Sequence, residues 1–296
     1  LAQAKRQTWR AAQDTALAKY AQLTSRNYAL SMKLPLLLLV LVFTNLVIGQ
    51  TWVLEKELLL KDSTYHWTSD EWGQLYQWKD NTVWLQNEQN QQPFQETYKI
   101  LADISDIQPI NGLRCLLFSE NQQMLALVDN TLQLQEGIIA FYELDFSAVA
   151  KIAASARPDF IWIFDQYRER LILYNFKQAE VIQIVDNCFG GLGLAQMSQF
   201  FEQQQNLICH LSDGRYFEFD RNLTLKRRGQ LALGTTLVGF ENQLWELRNN
   251  SMQQPDSTGV SSHIELPDQS YQQLQILQDR FYFQQGAKIK VFRLIL

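Results

Sequence analysis

The chain's histidines are His66, in STYHWTS, His210, in LICHLSD, and His263. His66 and His210 fall on predicted strands 144 residues apart. A metal centre needs several such side chains converging with carboxylates. Each histidine here stands alone, so isolated strand histidines and no metal site are expected. Nucleophilic chemistry fares no better. No G-x-S-x-G occurs to place a serine on a strained elbow. CFGGLG (188–193) has the glycine density of a phosphate loop. It lacks the following Lys-Ser/Thr and opens no helix, so it reads as a connection between elements. The cysteines, Cys115, Cys188 and Cys209, are odd in number and form no CxxC. Cys115 and Cys209 sit in apolar runs and read as small buried hydrophobes.

Carboxylates remain. Asp103, Asp106, Glu120, Asp165 and Asp213 are candidate calcium ligands by residue type, but no local spacing singles them out. Asp at turns is the ordinary role of that residue. The densest charged stretch is DQYRERL, with Asp165, Arg168, Glu169 and Arg170. On a loop it forms a candidate partner-binding rim, since loops on a rigid scaffold carry specificity. Trp72 in SDEWGQ joins that rim: the turn around it marks it as an exposed aromatic anchor. The other strand tryptophans, Trp67, Trp78, Trp84, Trp162 and Trp245, read as core.

The elements that would position these residues are strands. Aromatics reach 12% of 296 residues, which favours strands over helices. Beyond Thr51, apolar runs pair across polar turns into hairpins whose first strands begin near Gly73, Arg114, Phe160, Asn206, Gln243 and Arg280. The intervals of roughly 37–46 residues match a four-stranded propeller blade. Inner strands are expected at AVAKIAA (148–154) and TLVGF (236–240), and outer ones at EVIQIVD (180–186) and LTLKRRGQL (223–231). Asp213-Gly214 predicts a two-residue turn with both residues at positive φ. The fifth blade is irregular, because Asn249 to Ser262 is polar. The sixth ends after its third strand, and TWVLEKELLL (51–60) is an orphan strand that would close the ring as its outer edge. Glu55, Lys56 and Glu57 suit that edge. The fold class is all-β, a six-bladed β-propeller closed by its N-terminal strand. Two packed β-sandwiches would space their hairpins less regularly.

The hairpins FIWIFDQYRERLILYNFK and LICHLSDGRYFEFD resemble those of NHL-type and related six-bladed propellers. The Asp-x-x-Asn-x-Arg turn of that type is met by Asp165 and by Arg168 or Arg170, without the Asn. With MLALVDNTLQL (124–134) and a short export signal, the chain also resembles exported propellers of Bacteroidota-type Gram-negative bacteria. That resemblance implies periplasmic or outer-membrane-associated placement and assigns no activity.

The signal is SMKLPLLLLVLVFTNLVIGQTW, Ser31 to Trp52. Leu34–Gly49 is an uncharged run of a signal-peptide core's length, short of a spanning helix. Cleavage between Gly49 and Gln50 is expected, and the alternative is a short inner-membrane anchor with a periplasmic propeller. Residues 1–31 then read as an upstream extension, disordered or an unpacked helix, before a signal at 32–49 and a propeller at 50–296. Residues 1–33 carry a balance of +5 (six basic against Asp14), which leaves -10 for the rest of a chain of net charge -5. An acidic body excludes nucleic acid as partner. The expectation is a monomeric, non-catalytic binding or scaffold propeller of the cell envelope, with no cofactor and a protein partner. The alternative is a propeller hydrolase or lactonase, or a quinoprotein-type dehydrogenase, with calcium or a quinone in the channel.

Overall fold

The computed structural model describes Lys19 and residues 50–86, 93–135, 137–254, 263–267 and 270–295. The chain divides into two units, Leu1–Gln50 with Leu296, and Thr51–Ile295. The second unit is a six-bladed β-propeller of six four-stranded antiparallel sheets. The strand β1 (Thr51–Leu59) opens it. Blade 1 is β2 (His66–Ser69), β3 (Leu75–Lys79), β4 (Thr82–Gln86) and β5 (Phe94–Thr97). Blade 2 is β6 (Asp106–Asn111), β7 (Arg114–Ser119), β8 (Met124–Asp129) and β9 (Ile139–Ala140). Blade 3 is β10 (Val149–Ala154), β11 (Phe160–Asp165), β12 (Arg170–Asn175) and β13 (Glu180–Val185). Blade 4 is β14 (Met197–Gln203), β15 (Asn206–Leu211), β16 (Arg215–Phe219) and β17 (Leu225–Gln230). Blade 5 is β18 (Thr236–Phe240), β19 (Gln243–Arg248), β20 (Ser251–Gln253) and β21 (His263–Glu265). Blade 6 is β22 (Gln273–Leu277), β23 (Arg280–Gln285), β24 (Lys288–Ile295) and, outermost, β1.

Five of the expected hairpin starts coincide with strand starts. Blade 1 differs: its second strand begins at Leu75, because Gly73 at φ +79° and Gln74 belong to a turn held by Asp70. Blade 5 is irregular as expected, with a three-residue third strand. The Asp213–Gly214 expectation is corrected. Only Gly214 is left-handed, at φ +88°, and its N–H returns to Leu211 O at 2.9 Å. Three residues separate β15 from β16, so the chain makes an ordinary right-handed turn and spends one glycine on the exit.

The apolar core is divided among the blade interfaces. FIWIFD shows why: alternate side chains of a strand point to opposite faces, and both faces of each sheet meet a neighbouring sheet. Trp162, Phe164, Leu171 and Leu173 pack with Phe200, Leu207 and Phe217 between blades 3 and 4. Ile161, Ile163, Ile172 and Tyr174 turn the other way, onto Leu116, Phe118 and Leu125 of blade 2. The junction of blades 4 and 5 is the thinnest, with four buried apolar residues, Ile208, Tyr216, Leu231 and Leu237.

Closure follows the sequence expectation. β1 pairs with β24 from Thr51↔Ile295 to Leu59↔Lys288. Trp52 sets its ring edge-on to Phe281 at 4.8 Å and donates Nε1–H to Glu265 O at 2.9 Å. Glu55 bridges Arg280 at 2.9 Å and Arg293 at 2.7 Å.

Antiparallel sheets sort the loops onto two ends. One end, here the upper, carries the turns between second and third strands and the connections between blades. The lower end carries the first-to-second and third-to-fourth turns, together with Thr51 and Ile295. The apolar run Leu34–Gly49, with the cleavage residue Gly49, lies outside the described residues, and Gln50 directly precedes β1. Among the described residues no helix is long and apolar enough to cross a membrane.

Candidate functional site

The charged turn after β11 sits on the upper end, and its side chains are committed to neighbouring loops. Asp165 is buried, not on the rim: its carboxylate accepts the N–H groups of Ser147 at 2.9 Å and Ala148 at 3.1 Å. Arg168 forks onto the Asp145 carboxylate with contacts of 3.1 and 3.2 Å. That pair lowers the Asp145 carboxyl below its ordinary value, chiefly through the Arg168 hydrogen bond. Arg170 pairs with Asp186. Glu169 accepts the N–H of Leu192 at 2.7 Å and of Gly191 at 3.1 Å.

The glycine-rich connection 186–196 is therefore clamped. Glu169 takes its N–H groups from one side, and from the other Arg215 donates to Gly191 O at 3.0 Å and Leu192 O at 3.2 Å. Gly190, Gly191 and Gly193 are left-handed, which lets the loop turn tightly enough to be gripped twice. Phe189 plugs inward against Phe164 and Phe217. Leu194 is left 101% exposed.

Other loops of this end repeat the pattern of one apolar residue in and one out. In the short turn Phe141–Leu144, Phe141 is buried against Phe118 and Tyr142 is exposed. In Lys99–Leu101, Leu101 is buried and Ile100 is exposed. Tyr167 is 84% exposed and Leu233 74%. Ile100, Tyr142, Tyr167, Leu194 and Leu233 thus share one end of the ring. Sequence reasoning named the charged side chains there and missed these five. The available signal was an apolar residue inside a glycine-rich or polar loop, as in GGLGLAQ and LALGT.

Trp72 lies at the opposite end, in the turn between β2 and β3, and is 57% exposed as expected. The structure therefore splits the anticipated rim between two ends. Trp67, Trp78, Trp84, Trp162 and Trp245 are buried, as expected of core.

The candidate channel carboxylates do not meet. Asp103 accepts from Asn121 at 2.8 Å, and Asp213 pairs with Arg215 at 2.7 Å. Asp106 accepts from Gln108 at 2.7 Å, and burial pushes its pKa up. Among the described residues no three His, Cys, Asp or Glu side chains stand together as metal ligands do. His210 is buried in β15, with Nδ1 3.0 Å from Gln199 Oε1. Cys115 and Cys209 are free and buried, and burial raises both thiols.

No protein-family model matches the chain, and no curated protein matches it. Solved structures do. Virginiamycin B lyase from Staphylococcus aureus superposes with TM-score 0.56 at 10% identity, over 83% of this chain and 100% of that one. The Pan2 WD40 domain of Neurospora crassa gives 0.52 at 7% identity, over 82% and 95%. BBS1N, solved in complex with ARL6DN, gives 0.52 at 11% identity, over 75% of each chain. At these identities the likeness is one of fold, and these propellers include a lyase and a protein solved with a partner.

Proposed function

We propose that the chain is a non-catalytic binding propeller of the bacterial cell envelope, engaging a protein partner through its upper end. One observation carries the reading. Among the described residues the three most exposed large apolar side chains, Leu194, Tyr167 and Leu233, stand on that one end. Large exposed apolar groups gathered together mark an interaction surface. The loops bearing Leu194 and Tyr167 are already clamped by Arg168, Glu169 and Arg215. A surface ordered before contact loses less entropy on binding. Envelope placement is supported by the export-signal reading of Met32–Gly49 and by the likeness to exported Bacteroidota-type propellers. The rival, a lactonase or quinoprotein-type dehydrogenase, needs carboxylates and amides converging on the channel. Asp103, Asp106, Asp165 and Asp213 instead each serve a local partner.

The test compares the tagged, exported chain with a Tyr142→Ser/Tyr167→Ser/Leu194→Ser variant of unchanged melting temperature. An envelope protein co-purifying with the parent and lost from the variant is the expected result. Calcium-dependent ester hydrolysis by the purified chain, with no co-purifying protein, overturns the reading.

A further inference from the structure

The lower end carries a second, chemically different site beside Trp72. The indole covers Gly112 of the next blade: a Cβ on that glycine would lie 2.0 Å from Cε3 and 2.1 Å from Cδ2. A point that close to an outer atom and to an atom of the fused bond lies over the ring, not at its rim. One face of Trp72 therefore rests on the glycine backbone, which leaves the 57% exposure of this residue to its edge and its other face. The turn beneath is fixed by Asp70, whose Oδ1 accepts the N–H of Trp72 at 3.0 Å and of Gln74 at 2.9 Å.

Next to this turn a pocket of about 310 Å³ spans blades 6, 1 and 2. Its polar lining includes Ser69, Asp70, Glu71, Gln108, Asn111 and Gln275, and no lining residue is basic. Most of its amide groups are committed. Gln275 pairs with the backbone of Ser69, Asn111 Oδ1 takes the N–H of Leu113 and Arg114, and Gln108 donates to Asp106. The two charged residues of the lining are acids. Asp70 is only 3% exposed, and its Oδ2 has no hydrogen-bond partner. Glu71, beside it, is exposed. Lys56 and Arg280 approach the turn at Gly73 from blade 6 but line no part of the pocket.

We propose that this pocket binds a cationic side chain, lysine or arginine, of a polypeptide partner, with its aliphatic stem on the other face of Trp72 and its charged head between Asp70 and Glu71. An aromatic face attracts a cation through its quadrupole. A buried carboxylate oxygen without a partner is costly, and a charged donor satisfies it. A neutral polyol would also stack on the indole, but it would leave two carboxylates side by side without a countercharge. The site goes beyond the upper-end reading and can fail or stand without it.

The experiment titrates the full chain with Nα-acetyl-lysine methylamide and Nα-acetyl-arginine methylamide, following binding by calorimetry. The uncharged arginine isostere Nα-acetyl-citrulline methylamide and methyl glucoside serve as comparisons. Both cations should bind in the millimolar range, with citrulline at least about 5-fold weaker. Glu71→Gln should weaken the cations roughly 5-fold. Gly112→Ala, which displaces the ring without removing a polar group, should weaken them by about 3-fold or more, as should Trp72→Ala. Trp72→Phe, which keeps a π face, should retain most of the binding. Citrulline or methyl glucoside binding as tightly as the cations overturns the proposal. So does indifference to Glu71→Gln and Gly112→Ala, or no millimolar binding of either cation.

Discussion

The side-chain amide of Gln199 pairs with the backbone of Leu237 as a neighbouring strand would. Leu237 N–H donates to Gln199 Oε1 at 2.7 Å, and Gln199 Nε2 donates to Leu237 O at 2.8 Å. The innermost strand of a blade has one unpaired edge, and buried backbone groups need partners. Gln199 of blade 4 supplies them to blade 5. The device recurs at alternate junctions. Gln275 of blade 6 pairs both ways with Ser69 of blade 1 at 3.0 and 3.2 Å. Gln123 of blade 2 does so with Val149 of blade 3 at 2.7 and 2.9 Å. At the thin junction of blades 4 and 5 little apolar contact backs it up. Gln199→Met keeps the volume and leaves the Leu237 N–H and C=O without partners. It should lower stability by roughly 2–3 kcal/mol in urea denaturation. A loss below about 0.5 kcal/mol would mean that water substitutes for the amide.

The same Gln199 oxygen fixes His210. Nδ1 of the imidazole lies 3.0 Å from Oε1, which assigns its proton to Nδ1 and leaves buried Nε2 without a partner. Burial lowers the His210 pKa below its ordinary 6.5, only partly offset by Asp213. Above that value the imidazole is neutral in folded and unfolded chains alike and has no effect on the balance. Below it the unfolded chain takes up the proton first, so stability falls as pH falls until the folded pKa is reached. His210→Phe should flatten the part of the stability-versus-pH curve just below pH 6.5, relative to the parent. The His210 ring resonances should titrate below pH 6.5. Titration above that value would contradict the burial account.

The ring was legible in the sequence because its strongest constraint is local. In FIWIF and LILY each residue is apolar for the sake of one of two interfaces, so most blades write a similar hairpin. β1 was legible because Thr51–Leu59 had no partner in its own hairpin and blade 6 lacked a strand. The roles of Gln199, Gln275 and Gln123 were not legible. The chain holds 36 glutamines, and those that replace a strand do so only once two blades far apart in sequence meet. Asp165 misled for the same reason. It ends an apolar strand before a charged turn, as a rim residue would, yet Ser147 and Ala148 arrive from the preceding connection to use its carboxylate.

The latch should yield to a graded test. Trp52 holds β1 by its ring on Phe281 and by its N–H on Glu265 O. Trp52→Ala removes both and should cost about 2–4 kcal/mol. Glu55 bridges two arginines in a part-exposed setting, where solvent screens the pairing. Glu55→Gln should therefore cost about 1 kcal/mol or less, and the loss should shrink further in molar salt. Thermal melts at low and high salt separate the two. An Glu55→Gln loss that is unaffected by salt would show that the side chain acts through packing or neutral hydrogen bonds.

The two-residue left-handed turn expected at Asp213–Gly214 is found elsewhere, on Asn249 and Asn250, which suit it, and on two pairs that include residues poorly suited to it. Gln204 and Gln205, joining β14 to β15, have φ of +51° and +62°, and Glu241 and Asn242, joining β18 to β19, have +47° and +59°. Outside glycine, asparagine and aspartate this conformation costs on the order of 1 kcal/mol per residue. Both turns border a pocket of about 280 Å³ between blades 4 and 5, at the same thin junction. The strain is relieved by sequence alone. Gln204 and Gln205 are exposed, so Gln204→Asn/Gln205→Gly, the pair such a turn prefers, removes no core contact. The double variant should raise stability by about 1 kcal/mol, read as a higher urea midpoint at unchanged slope. An unchanged or lower midpoint would mean that the glutamine side chains stabilise the junction by as much as their backbone strains it.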